Sequence, residues 1–357
     1  MHRRQRLSPR SVAVTASARS ECSACALIAL LLIALLPVRA LAQPQAQRPP
    51  QGTVRTDTLW SQSLGAHKAL TVYLPPSYTA HPTQRFPVLF YLHGLGGNQR
   101  NWVDAGALDR TMDSLVAAGQ PEAILVMPDG DDGWYASAGS LPDLPACLAD
   151  STRREPAATF CVPWPRYDDY IARDIVAHID ARYRTVADRA HRGIAGLSMG
   201  GFGAISLALA YPDVFAAAAS HSGVLSPRYL GPTPYAPPAR YATTLAELRT
   251  AARSLWPSQI RAFGRDTIAW IARDPGHLAR RAVQPTARRG RAPLPALMVD
   301  VGVDDPWIDQ NRDFHATLHQ VGVSHQYAEW PGAHTWQYWR THAAESLVFL
   351  LGHVADR

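Results

Sequence analysis

From residue 54 onward, short apolar runs alternate with longer stretches of helical spacing. Runs at 69–74, 87–92, 123–127, 192–195, 216–220 and 296–301 have the length of strands, and several contain no polar alternation. A strand that is apolar on both faces must be covered on both faces, which is how parallel sheets sit between layers of helix. A further strand is expected at 325–330. Between the strands, 105–118, 167–184, 200–211, 310–321 and 335–351 predict helices. This alternation predicts an α/β fold with a mostly parallel central sheet flanked by helices. No internal repeat is visible.

Two segments break the alternation. Residues 136–165 are proline-rich and contain Cys147 and Cys161. Residues 225–293 contain Pro227, Pro232, Pro234, Pro237 and Pro238, then a helical patch at 245–255, then an arginine-rich stretch. Each is expected to be an insertion over one end of the sheet, either a substrate cap or surface decoration.

The N-terminus departs from the pattern in another way. Five arginines within residues 1–23 precede an apolar run at 24–36, Pro37 ends the run, and Ala40-Leu41-Ala42 offers small residues at a cleavage point. That order predicts a signal peptide over 1–42, cut after Ala42, and export to the periplasm or beyond. The run is shorter than the roughly 20 residues needed to span a bilayer, so no stable membrane insertion is expected after cleavage. Arg3-Arg4 suggests the twin-arginine route, although the residues after the pair match it poorly, which leaves the choice against the Sec route open. Residues 43–53, polar and proline-rich, predict a disordered linker, so that 54–357 form the folded domain.

Removing 1–42 changes the charge picture. The chain carries +6; the leader's six arginines against one glutamate account for +5 of it, leaving +1. The high isoelectric point is therefore no sign of a nucleic-acid partner. Two of the four cysteines leave with the leader. The remaining Cys147 and Cys161 are expected to pair in an oxidising compartment, because no histidine lies between them and no third cysteine exists to complete a zinc shell.

The sharpest chemical signal is Gly196-Leu197-Ser198-Met199-Gly200-Gly201, placed between an expected strand and an expected helix. A G-x-S-x-G turn in that context is a nucleophile elbow, presenting Ser198 at a helix N-terminus where developing negative charge is favoured. A serine hydroxyl needs a base, and the base needs a third group to set its tautomer. Downstream, Gly302-Val303-Asp304-Asp305-Pro306 and Gly332-Ala333-His334-Thr335-Trp336 each follow an expected strand, in the order nucleophile, acid, base. His334 is the expected base. His315, His319 and His342 fall within expected helices, and His221 follows the nucleophile too soon. Asp304 and Asp305 compete for the role of acid on one loop, while Asp300 belongs to the strand before it.

An oxyanion needs two donors, each worth about 3–4 kcal/mol to acyl transfer. One is expected from the backbone N–H of Met199. The other is expected from the N–H of Leu95 in Tyr91-Leu92-His93-Gly94-Leu95-Gly96-Gly97, with His93 shaping the loop. Asp129-Gly130-Asp131-Asp132-Gly133 lacks the spacing and distal glutamate of a calcium loop. It is expected to be a strand-end loop near the pocket, with Trp134 and Tyr135 as substrate contacts or packing residues. No metal is expected.

Taken together, the HGLGG loop, the GLSMGGFGA elbow, the GVDDPW loop and the GAHTWQYW segment resemble the esterase D-like family of α/β-hydrolases, over roughly residues 54–351. That family includes S-formylglutathione hydrolases, feruloyl and acetyl xylan esterases, enterobactin esterases and mycolyltransferases. The resemblance implies the α/β-hydrolase fold and a Ser198–His334–Asp305 triad, since the family's acid loop aligns with Asp305. It adds Trp336, in the family's G-x-H-x-W pattern, as a substrate contact, and it implies no cofactor. Val303 stands where a threonine is common. Export argues against a cytosolic thioester and favours a small-molecule or carbohydrate ester as partner, hydrolysed through an acyl-enzyme. An acyltransferase and a non-catalytic binding protein on the same scaffold are the alternatives; the second would be expected to have lost a triad residue, and none is lost here.

Overall fold

The apolar runs become the interior of one eight-stranded sheet. The computed structural model describes residues 51–138, 143–284, 290 and 292–355; the expected signal peptide lies outside them, as does most of the expected linker. The strands are β1 (Thr53–Ser61), β2 (Ala66–Leu74), β3 (Val88–Leu92), β4 (Ile124–Pro128), β5 (Arg192–Leu197), β6 (Ala217–His221), the short pair β7 (Tyr229–Gly231) and β8 (Arg240–Tyr241), then β9 (Ala296–Gly302) and β10 (His325–Trp330). The order across the large sheet is β1-β2-β4-β3-β5-β6-β9-β10. β1 and β2 are antiparallel to their neighbours and the other strands run parallel.

β3 through β6 are buried at every residue, the property announced by their unbroken apolar runs. Edge strand β1 was not expected. Its sequence, TVRTDTLWS, is mostly polar and carries no apolar run, and only Leu59 and Ser61 are buried. Gly52 donates its N–H to Asp113 at 2.8 Å and Thr53 opens β1. The ordered fold therefore begins slightly before residue 54, and the expected linker ends sooner.

The helix Met199–Ala210 is buried on all sides, apart from its last residue. That is why it reads as uniformly apolar and not as amphipathic. The helix expected over 105–118 is broken: Asn101–Asp104 and Leu108–Ala117 are separate, with left-handed Ala107 (φ 52°) between them. A Cβ on Gly106 would come within 2.6 Å of the Trp102 carbonyl, so the chain turns there on a glycine. The helix expected over 167–184 widens into a π-helical stretch at Tyr170–Ile175 before continuing as Val176–Arg182. Among the described residues no helix is long and apolar enough to cross a membrane.

The two insertions pack on one another. The first has short helices at Leu144–Ala149 and Ala157–Phe160, joined by the Cys147–Cys161 disulfide with Cα atoms 5.7 Å apart. The second contributes β7, β8 and the helices Leu245–Ala252, Trp256–Phe263, Thr267–Arg273 and Pro275–Ala282. The first of these helices opens on a capping box between Thr244 and Glu247. Arg261 reaches Asp150 at 3.3 Å and lies over the Phe160 ring, and Arg273 donates to the Ser137 carbonyl at 3.0 Å. Between the insertions lies a cavity of about 450 Å³, lined in part by Asp132, Cys147, Phe160, Ile260 and Arg261.

Candidate active site

Four loops at the carboxyl ends of parallel strands meet above the sheet, beside the point where the strand order reverses around β3. After β5 the chain turns through Ser198, whose φ of 53° and ψ of −116° lie where side-chain-bearing residues are strained, and it enters the helix Met199–Ala210 at once. The turn is possible because its flanks are glycines. A Cβ on Gly196 would stand 2.3 Å from the Gly200 carbonyl oxygen, and one on Gly200 would stand 2.3 Å from the Leu92 carbonyl oxygen. Helix, elbow and the end of β3 are thus packed backbone to backbone.

His334 Nε2 lies 2.9 Å from Ser198 Oγ, and His334 Nδ1 lies 2.7 Å from Asp305 Oδ2. The Trp307 N–H donates to the other oxygen of Asp305 at 2.8 Å. Asp305 is buried, whereas its neighbour Asp304 is exposed and contributes its backbone N–H to the Gly332 carbonyl. The Val303 N–H donates to Trp330 in the same way, so the loops after β9 and β10 are held together by main chain. A Cβ on Gly302 would meet the Gly332 oxygen at 2.3 Å. Asp300 stays within β9, where it accepts from Tyr338 Oη at 2.8 Å and approaches His221 Nδ1 at 2.7 Å. Burial and that carboxylate push the Tyr338 phenol well above its ordinary pKa, so it serves as a donor only. His221 has no side-chain contact with Ser198; its carbonyl accepts the Ser198 N–H at 3.0 Å.

The loop after β3 abuts the elbow. A Cβ on Gly94 would be 2.7 Å from Leu197 Cδ1 and 3.5 Å from Ser198 Cβ. His93 is buried, with Nδ1 2.8 Å from the Gly94 carbonyl and Nε2 accepting the Gly130 N–H at 2.9 Å. It shapes the loop, as expected. The loop is pinned from outside by Asp132, whose carboxylate accepts the Gly96 N–H at 2.5 Å. This contact was missed in the sequence because it joins residues 36 apart, through a loop whose only signal is its run of aspartates. Among the described residues, the N–H groups of Leu95 and Met199 have no protein acceptor.

Trp134 and Tyr135 are not exposed to a ligand. Trp134 packs against Phe202 and Phe263 and donates to Ser258, while Tyr135 donates to the His93 carbonyl at 3.0 Å. Both are essentially fully buried, which corrects the expectation of substrate contacts in favour of packing. Trp336 is partly exposed, and it meets Trp339 edge-on, whose ring in turn meets His334.

Beneath the DGDDG loop, Lys68 Nζ is buried 2.5 Å from Asp131 and 3.6 Å from Asp129, and Tyr167 donates to the same Asp131 oxygen. Burial pushes the Asp131 carboxyl up to about 6 against the pull of Lys68. Lys68, from β2, is the counter-ion of the loop. Arranged in this way, a histidine can take the proton of a serine hydroxyl while a buried carboxylate orients the imidazole, beside two free amides, the requirement for acyl transfer.

Residues 61–350 match the family model described as putative esterase. An esterase of Mycobacterium tuberculosis is 33% identical over 173 residues, which cover 47% of this chain and 32% of that protein. An endo-1,4-beta-xylanase/feruloyl esterase of Xylanibacter ruminicola is 30% identical over 170 residues, 46% of this chain and 20% of the relative. The chain therefore spans no more than about a third of the length of these two relatives. Among solved structures, a ferulic acid esterase superposes with a TM-score of 0.60 at 26% identity, over 85% of this chain and 99% of that one. An S-formylglutathione hydrolase from Agrobacterium tumefaciens gives 0.62 at 19% identity, over 86% and 97%, a likeness of fold alone.

Proposed function

The chain belongs to the putative esterase family of α/β-hydrolases, and from that premise we propose that it is an exported serine carboxylesterase using Ser198, His334 and Asp305. The observation that carries the reading is the continuous relay from Ser198 Oγ through His334 to buried Asp305. Asp305 holds the Nδ1–H tautomer, which leaves Nε2 to accept the serine proton. Ser198 Oγ then bonds to the ester carbonyl carbon, and the carbonyl electron pair moves to oxygen, facing the N–H groups of Leu95 and Met199. Collapse breaks the bond to the alkoxide, which takes the proton from His334 Nε2. Water, deprotonated by the same nitrogen, repeats the sequence on the acyl-enzyme and frees Ser198 and the acid. No metal or organic cofactor enters these steps.

The substrate class we favour is a carbohydrate-linked or other extracellular ester. Two features support it: the leader-like residues 1–42, and a relative and a solved neighbour named as feruloyl or ferulic acid esterases. Trp336, partly exposed beside the base, is the residue proposed to contact substrate. The test is hydrolysis of p-nitrophenyl acetate and butyrate by the protein and by Ser198→Ala, followed by feruloyl and acetylated sugar esters. Activity abolished in the variant supports the reading. Equal activity in both, or none in either, overturns it. An alcohol acceptor that captures the acyl group in preference to water would instead establish a transferase.

A further inference from the structure

Three histidines outside the catalytic site converge on one point. His315 and His319 lie one turn apart on the helix Ile308–Gln320, and His325 opens β10, whose His325 and Tyr327 rings meet His315. Ligand-capable nitrogens of all three lie within 4.8 Å of one another. His315 Nδ1 and His325 Nε2 are 2.8 Å apart, and the three rings are mutually edge-on with centroids 4.5 to 5.1 Å apart. We propose that His315, His319 and His325 form a binding site for one divalent transition cation of the imidazole-preferring class, Zn²⁺ being its simplest occupant.

The chemistry of the donors supports this assignment in three ways. Nitrogens bound to one tetrahedral ion at about 2.1 Å stand about 3.4 Å apart, so small ring rotations bring these three into place. An imidazole ligand needs its far nitrogen held by an acceptor, which fixes the tautomer and aims the lone pair. His325 has that partner, because its Nδ1 donates to the Val323 carbonyl at 2.9 Å and leaves Nε2 facing His315. His315 is fixed differently, by stacking on the Tyr327 ring at 4.1 Å and 17°.

His319 is exposed, which gives an ion a path in and leaves a fourth position open to water. Asn, Gln and carboxylate donors are not needed, and the mixed Cys/His set that was ruled out in the sequence is not the set used here.

The position implies a structural role. His325 lies at the amino end of β10, while His334 follows its carboxyl end. The helix bearing His315 and His319 begins three residues after Asp305. An ion here would clamp the segment that follows the acid to the strand that leads to the base, at the edge of the sheet opposite the chemistry. The proposal is independent of the catalytic reading.

The untagged full-length chain, stripped with chelator, would be titrated with ZnCl₂ by calorimetry at neutral pH. The expected result is one Zn²⁺ per chain with micromolar or tighter affinity, weakened roughly 100-fold or more in His319→Ala and in His325→Ala. Zn²⁺ should also raise the Tm of the parent and leave that of His319→Ala unchanged. Because His319 is exposed, its replacement leaves folding intact, and circular dichroism checks this. Hydrolysis of p-nitrophenyl acetate should survive chelation. Absence of saturable binding overturns the proposal, and so does binding that persists undiminished in His319→Ala.

Discussion

Asp305 is buried and holds His334, while Asp304, one residue earlier, is exposed and contributes only its main chain. The two therefore separate in a simple experiment. Asp305→Asn should lower kcat by about 10,000-fold, because an amide stabilises the wrong imidazole tautomer. Asp304→Asn should leave kcat within a small factor of the parent, and steady-state kinetics on a p-nitrophenyl ester would check both. Gly200 makes a second residue-scale case. Gly200→Ala places a methyl against the Leu92 and His93 carbonyl oxygens, at 2.3 and 2.6 Å. Backbone cannot swing aside as a side chain does, so a loss of about 1–3 kcal/mol is expected in urea unfolding, with a fall in kcat as the Leu95 loop shifts. The residues of the relay were legible because each sits in a short motif at a strand end. The choice between Asp304 and Asp305 was not fixed by local pattern, since adjacent residues of a loop are separated only by which one the fold buries.

At the scale of elements, the first insertion and the loop after β3 are joined through Asp132, which accepts from Gly96 and whose N–H donates to Glu155 at 3.2 Å. Burial, together with the neighbouring Glu155 carboxylate, raises the Asp132 carboxyl to about 6 despite the Gly96 N–H. Its unfolded value is about 3.9. Between these values the folded state holds more protons than the unfolded one. The contribution of this group to stability is therefore full below about pH 4 and lost as pH rises through 6. Asp132→Asn retains an acceptor for Gly96 and removes the titration. It should raise the Tm at pH 7 and narrow the gap between the Tm values at pH 4.5 and 7, measured side by side with the parent. An unchanged gap would mean that Asp132 does not titrate in this window. The disulfide gives the other prediction at this scale. Its Cys residues are 14 apart, so opening it should cost the strap about 3 kcal/mol in the chain-entropy model. Cys147→Ser with Cys161→Ser should accordingly speed proteolysis within 143–165. The strands of the core were expected nearly to their ends because unbroken apolar runs admit few other uses. Strand β1, the break at Gly106 and the π-helical stretch were not, because edge strands, kinks and widened turns answer to neighbours far along the chain.

Across the whole molecule, Lys68 links β2 to the loop after β4 and, through Asp131, to Tyr167. It is the only lysine in the chain, and it is buried. Lys68→Met would leave Asp131 without its counter-ion and should cost about 3–5 kcal/mol in chemical denaturation. Adding Asp131→Asn should recover most of that loss, since removing both charges avoids the uncompensated one. By itself the sequence determined the α/β layering, the glycine-flanked turn at Ser198, the placing of Ser198, Asp305 and His334 at strand ends, and the pairing of Cys147 with Cys161. Each of these follows from local spacing, from side-chain chemistry or from the count of available partners. Only the tertiary structure decided that Trp134 and Tyr135 are core, that Asp132 holds the loop after β3, that Lys68 faces Asp131, and that three histidines from a helix and a strand meet. Those outcomes depend on which distant backbone segments pack together, and a pattern of neighbouring residues carries no record of contacts made across the fold.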